Sequence, residues 1–381
     1  MISKLISKLL ITSFLTLVSF TVVASIAIPP PKVKAEGHIL IDFHSGNILA
    51  EKNADKKLEP ASLTKIMAAY VVFKELEEGN LKLEDKTTVS KNAWQTKGSR
   101  MFIQVNTQVS IKELLMGLIV QSGNDAGVAL AEHIAGTEAT FANLMNHHAK
   151  KLGMDASHFM NSTGLPHENH FTTARDIAKV TAATIREFPE FYSWYAIRSY
   201  KYNKIDQKNR NGLLYRDNSA DGVKTGYTQA AGYCLVGSAK RDDTRLISVV
   251  LGTESTSART KESQALLNYG FSFFESRKLH ATGQPIDKAK VWKGEKETVS
   301  VGIIEDLFVS YPRRQKKALK SEIKLNEHIE APVQKGQQLG ELHVTLAGKV
   351  IKKVPVVAFE DVKPGSFFSR TADSLMLWIE K

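Results

Sequence analysis

The chain has 381 residues, longer than one domain usually is, so two domains and a large core are the starting expectation. Its 43% hydrophobic and 24% charged content is that of a folded globular protein and excludes a fibrous or disordered one. The net charge is +11, but no Lys/Arg run with interleaved aromatics occurs, so nucleic acid is not an expected partner; an anionic membrane surface or an acidic polymer fits the charge at least as well.

Lys4 and Lys8 precede an uncharged stretch from Leu9 to Ile28, and Pro29-Pro30-Pro31 follow it. With Ser25-x-Ala27 as a cleavage site, residues 1–27 read as a secretory signal peptide, whose removal leaves a net charge of about +9. The stretch is also long enough to span a bilayer, so an uncleaved anchor is the alternative. Either way, the chain beyond this stretch is expected to be exported. Cys234 is the only cysteine, which excludes an internal disulfide and a Cys-based zinc site. Lying in the apolar run Gly232–Val236, it reads as a small core residue.

His38–Phe43 and Asn47–Glu51 flank His44-Ser45-Gly46, a hairpin signature at the start of a domain. A helix is predicted from Ser62 to about Glu78, with Leu63, Ile66, Met67, Tyr70 and Phe73 on one side and Gly79 at its end. Ser110 and Glu113 form a capping box. Helical patterns continue through Ala126–Ala135, Thr140–Leu152 and Ala174–Arg186. Strand-like runs return at Ala220–Tyr227, Tyr233–Ala239 and Arg245–Leu251, and a helix from about Ala258 to Glu275 closes the segment. Helices inserted between an early hairpin and three late strands predict an α+β domain over 36–280, with helices packed on an antiparallel sheet. Short runs such as Thr298–Ile304, Leu307–Tyr311, Glu341–Leu346 and Lys349–Val357, broken by Gly, Pro and charge, predict a small all-β domain over 283–366.

Three clusters carry chemistry. Ser62 and Lys65 stand three apart, so on a helix they share a face. A serine hydroxyl needs a base, and a neutral lysine serves if its pKa falls to about 7–8, a shift of roughly 3–4 kcal/mol between its protonation states. The bland alternative for the pair is an N-capping serine with a solvated lysine one turn later. Ser122-Gly123-Asn124 offers a second hydroxyl to relay a proton and an amide to hold Lys65 or substrate. Lys224-Thr225-Gly226, on a predicted strand, combines positive charge, a hydroxyl for a carboxylate and a glycine that admits a close backbone approach. A second Ser-x-x-Lys, Ser321 to Lys324, sits in the β-rich segment and carries no expectation.

With about 60 and 100 residues between them, the clusters resemble the active-site set of the penicillin-recognising serine enzymes. From about residue 36 onward the chain resembles the low-molecular-weight penicillin-binding proteins of the penicillin-binding protein 5/6 type, which are serine D-alanyl-D-alanine carboxypeptidases. The matches include Pro60-Ala61-Ser62-Leu63-Thr64-Lys65-Ile66-Met67, Gln121-Ser122-Gly123-Asn124-Asp125-Ala126, Asn209-Arg210-Asn211-Gly212-Leu213-Leu214, Asp221-Gly222-Val223-Lys224-Thr225-Gly226-Tyr227-Thr228 and Ala231-Gly232-Tyr233. The resemblance implies a β-lactamase/transpeptidase-like catalytic domain in which Ser62 is acylated, Lys65 is its base and Ser122 relays the proton. Asn124 would orient substrate, Lys224, Thr225 and Arg259 would hold its terminal carboxylate, and backbone N–H groups of Ser62 and Tyr227 would form an oxyanion hole beside Gly226. Tyr227 departs from the family, in which many members carry His after Lys-Thr-Gly.

The implied activity removes the last D-Ala from peptidoglycan pentapeptide stems, with β-lactams as acylating inhibitors and no cofactor. The expected location is the periplasmic face of the bacterial inner membrane, peripherally attached. A serine β-lactamase is the nearest rival, but no Glu-x-x-x-Asn stands between the second and third clusters. A non-catalytic scaffold is the other, opposed by the intact Ser62 and Lys65. His167-Glu168-Asn169-His170 is one residue short of the metalloprotease spacing and comes after Gly164-Leu165-Pro166, so it reads as a loop. Asn161-Ser162-Thr163 likewise reads as a loop. Over 367–381, Phe368, Ala372, Leu375, Met376 and Ile379 fall at helical spacing with Trp378 beside them and Arg370, Asp373 and Ser374 opposite. Too short to span a bilayer, the segment suits an interfacial helix, with ordinary packing on the β domain as the alternative.

Overall fold

The computed structural model describes residues 29–379, so the signal-peptide reading of 1–27 lies outside the described residues. The opening hairpin is β1 (Gly37–Asp42) and β2 (Ile48–Lys52), its turn tightened by Ser45, whose N and Oγ donate to Asp42 Oδ1 at 2.7 and 2.6 Å. Helix α1 (Thr64–Glu77) is buried from Thr64 through Phe73, because every position there is apolar or engaged, and it runs through the domain centre. Then come α2 (Asn124–Ala135), α3 (Glu138–Lys151) and α4 (Ala174–Glu187). Thr137 caps α3 and Thr173 caps α4 through side-chain oxygens. The Ser110–Glu113 capping box forms as read.

Strands β3 (Ala220–Thr228), β4 (Gly232–Arg241) and β5 (Thr244–Thr253) join the hairpin in one antiparallel sheet, ordered β2-β1-β5-β4-β3. Helices α1 and α4 cover one face with Ile66, Met67, Val180 and Ile185, while α5 (Thr256–Phe273) covers the other with Leu266, Leu267 and Phe271. The order leaves β3, which carries Lys224-Thr225-Gly226, at the sheet's edge.

The closing helix is shorter than read. It ends at Phe273, and the chain passes straight into β6 (Phe274–His280), paired with β9 (Leu307–Pro312). Aromatics at 271, 273 and 274 fit either period, which hid the switch. The other distal strands, β7 (Pro285–Lys290), β8 (Thr298–Gly302), β10 (Leu319–Leu325), β11 (Gln338–Leu346) and β12 (Lys349–Ala358), form a sheet ordered β7-β8-β12-β11-β10 around Val301, Val309, Leu342 and Val356. Ser321 and Lys324 lie exposed on β10. The α/β and β-rich units meet at the first hairpin. There Ser276 Oγ donates to Asp42 Oδ1 at 3.1 Å, Asn47 Nδ2 donates to the Ser310 carbonyl at 3.2 Å, and His44 stacks on Phe308.

Helix α6 (Phe367–Ile379) closes the described chain. It docks by the side opposite the apolar stripe, where Asp373 accepts from the Lys293 backbone N–H and Leu377 is the one described residue of the helix that is buried. Among the described residues no helix is long and apolar enough to cross a membrane.

Candidate active site

Ser62 lies in the 3-10 turn Ala61–Leu63 that leads into α1, not in the α-helix itself. The capping alternative fails, since the cap of α1 is Leu63 and no side chain satisfies it. Ala61 is held at φ 47, and the backbone of Gly164 presses against its carbonyl. Gly164 has φ +84, and a Cβ there would collide with Ala61 O, so only glycine lets this loop reach the turn that carries Ser62.

Lys65 is 1% exposed. Its Nζ donates to Ser62 Oγ at 3.0 Å, to Asn124 Oδ1 at 2.6 Å and to the Thr163 carbonyl at 2.8 Å. Burial pushes its pKa down to about 7, helped by the charge of Arg210 and opposed by Asp125 and Glu138. The lysine is therefore held against the serine in a form divided between neutral and charged at neutral pH.

Ser122 sits in the left-handed region at φ 60, just after the π-helical turn Gly117–Gln121, and caps that turn ahead of α2. Asn124 follows two residues later, and with its Oδ1 on Lys65 its Nδ2 donates to the Lys97 carbonyl at 2.6 Å. Its neighbour Asp125 is buried and accepts from the backbone N–H groups of Met101, Phe102 and Ile103 at 2.9, 2.8 and 3.2 Å, which pins the 101–103 segment against α2.

Lys224 and Thr225 are buried on β3. The Lys224 pKa is well below the ordinary lysine range, first through burial and then through repulsion from Lys65, Arg210 and Arg259. Four cations thus converge on one cleft. A methyl group on Gly226 would stand 3.3 Å from Ser62 N and 3.1 Å from Pro60 O, so the edge strand lies directly against the Ser62 turn. Arg259, in α5, is also buried and donates from Nη1 to the Gly226 carbonyl at 3.1 Å. Tyr227, next on the strand, is 53% exposed. Ser62, Lys65, Asn124, Lys224, Gly226 and Arg259 are therefore brought together from the Ala61–Leu63 turn, α1, α2, β3 and α5, with Ser122, Thr225 and Tyr227 adjoining them in the chain.

Three contributors went unread in the sequence. Arg210 donates to Ser99 Oγ at the cleft mouth and presses its charge on Lys65, Lys224 and Arg259. Thr163 contributes a backbone carbonyl, a group with no residue-type signature. Glu138 accepts from Ser162 N at 3.0 Å and Ser162 Oγ at 2.7 Å, which fixes the loop carrying that carbonyl. In that region His170 faces Thr64 Oγ1 at 3.0 Å and is buried, which lowers its pKa to about 4. Cys234 is buried, as read, with its thiol pKa pushed up by burial to about 11.

A family model described as D-alanyl-D-alanine carboxypeptidase matches residues 24–255, and one for the penicillin-binding protein 5 C-terminal domain matches 274–364. D-alanyl-D-alanine carboxypeptidase DacC of Escherichia coli is 44% identical over 355 residues, 91% of this chain and 89% of its own length. Penicillin-binding protein 5 of Haemophilus influenzae superposes with a TM-score of 0.86 at 39% identity, over 88% of this chain and 100% of that one. The cefotaxime-bound form of penicillin-binding protein D2 from Listeria monocytogenes superposes with a TM-score of 0.60 at 29% identity, over 64% of this chain and 100% of that one. Catalytic fold, β-rich unit and full-length relatives agree, and the chain belongs to the D-alanyl-D-alanine carboxypeptidase family, of the penicillin-binding protein 5/6 type.

Proposed function

We propose that this serine D-alanyl-D-alanine carboxypeptidase removes the terminal D-Ala of peptidoglycan pentapeptide stems through an ester on Ser62. The observation that carries the reading is Lys65 Nζ at 3.0 Å from Ser62 Oγ, buried and with its pKa lowered to about 7. Neutral Lys65 takes the hydroxyl proton as Ser62 Oγ bonds to the scissile carbonyl carbon. The C–N bond then breaks, Ser122 passes a proton to the departing D-Ala amine, and water hydrolyses the ester to release a tetrapeptide. The Ser62 and Tyr227 amides, adjoining across Gly226, stabilise the oxyanion.

Lys224, Thr225 and Arg259 hold the terminal carboxylate. Its arrival offsets the repulsion that Lys224 feels from Lys65, Arg210 and Arg259 and favours charged Lys224. A β-lactam presents the same carboxylate and a strained amide, and it acylates Ser62. Incubation of the protein with a pentapeptide, followed by assay of free D-Ala, tests the whole reading, and no release refutes it.

Arg259→Ala is expected to lower kcat/KM for the free-acid peptide by roughly 10–100-fold, the worth of one charge-assisted hydrogen bond. A C-terminally amidated peptide is expected to lose its disadvantage in that variant. If the variant keeps the wild-type preference for the free acid, Lys224 and Thr225 carry that recognition alone.

We further propose that α6 attaches the protein peripherally to the outer face of the cytoplasmic membrane. Phe367, Phe368, Leu375, Met376, Trp378 and Ile379 are exposed on a helix pinned to the β-rich unit through Asp373 and Leu377. Beside the helix Lys293 pairs with Glu330 and Lys296 with Glu360, and the exposed apolar side chains lead the contact. Deleting residues 369–381 from protein lacking 1–27 is expected to abolish co-sedimentation with liposomes and leave D-Ala release intact. Equal sedimentation of both forms would refute the helix as anchor.

A further inference from the structure

Only the Tyr227 backbone has a place in the chemistry above, yet its side chain is placed with care. A methyl group on Gly226 would stand 3.3 Å from Ser62 N, so the strand face that Gly226 shares with Lys224 by alternation meets the Ser62 turn. By strand alternation Thr225 and Tyr227 lie together on the other face, about 7 Å apart along the strand. Tyr227 is paired across strands with Tyr233, and their rings lie 4.3 Å apart at 31°. The Tyr233 ring has the Arg259 guanidinium 5.7 Å from its centre, and Tyr233 O accepts from Thr253 Oγ1 at 2.9 Å. A staircase therefore runs from the buried arginine through Tyr233 to a half-exposed ring one step beyond Thr225. A tyrosine merely filling space would be covered, whereas this one shows an open aromatic face beside the carboxylate-holding residues.

We propose that Tyr227 is a specificity-determining residue whose ring forms the wall of a subsite for the side chain of the C-terminal D-amino acid, and that it favours apolar and aromatic residues there. The inference rests on the reading that Thr225 and Arg259 hold the carboxylate, because that contact fixes where the departing side chain projects. D-Ala, with one methyl, reaches little of the ring. D-Phe stacks on it.

The test compares acyl-D-Ala-D-Ala and acyl-D-Ala-D-Phe peptides with wild type, Tyr227→Ala and Tyr227→Phe, reading kcat/KM for each. Tyr227→Ala is expected to lower the D-Phe to D-Ala ratio about three- to tenfold, the effect of losing one aromatic pair, and Tyr227→Phe to keep it. An unchanged ratio in Tyr227→Ala overturns the proposal. An equal loss on both peptides does so too, since it would mean that the ring only supports Tyr233 and Arg259. Wild-type turnover of the amidated D-Ala peptide checks the underlying reading separately. If amide and free acid are cleaved alike, the carboxylate assignment fails and the subsite fails with it.

Discussion

Ser62→Ala is expected to abolish both covalent labelling by penicillin and release of D-Ala, a loss on the order of 10⁴-fold or more. The substitution removes one hydroxyl from a 3-10 turn whose backbone is fixed from outside by Gly164 and Gly226. Lys65 keeps its bonds to Asn124 Oδ1 and the Thr163 carbonyl, so the buried amine is not orphaned and the fold survives. Circular dichroism and the thermal midpoint are expected to match wild type closely, which separates chemistry from folding. Mass spectrometry of the wild type is expected to find the penicilloyl adduct on the peptide containing Ser62. An adduct on any other residue would end the assignment.

The sequence was legible where the chemistry demands particular side chains. Ser62, Lys65, Asn124 and Lys224, which the structure brings together, stood out because the proposed nucleophile, base and anion site need those residue types, and their order along the chain is distinctive. The α/β sheet was readable because its strands are long apolar runs. What stayed hidden depends on backbone atoms and on docking. The Thr163 carbonyl belongs to a stretch whose Asn-Ser-Thr read only as a loop. There Asn161 Oδ1 in fact accepts from Gly164 N at 2.7 Å and shapes the turn that meets Ala61. Arg210 stood inside a recognisable run, but nothing local reveals that its charge reaches three other cations. In α6 the polar side read only as the one opposite the apolar stripe. Asp373 instead caps a backbone N–H of the β7–β8 connection, and only the neighbouring chain explains that.

Lys65→Arg is expected to be nearly as damaging as loss of the serine. Arginine keeps the positive charge but has no neutral form at working pH, so the hydroxyl proton has no acceptor. Its planar fork also does not match three acceptors arranged around one nitrogen at 3.0, 2.6 and 2.8 Å in a site 1% exposed. Acylation retained above about a tenth of the wild-type rate, a loss of only ~1.4 kcal/mol, would rule out Lys65 as the base. The same residue fixes the pH dependence. Because only neutral Lys65 accepts the proton, wild-type kcat/KM is expected to rise with pH along a limb centred near 7. The stability effect has the same sign. The lysine titrates near 7 when folded and near its ordinary value of 10.5 when unfolded, so between those values the unfolded chain binds more protons. Stability therefore rises with pH across that window, and charged, buried Lys65 costs the fold most below it. Lys65→Met removes this titration. Its thermal midpoint is expected to exceed that of wild type most at about pH 6–7 and to converge with it toward about pH 10. A difference that does not change with pH would mean that burial does not depress the lysine, and with it would go the neutral base that the mechanism requires.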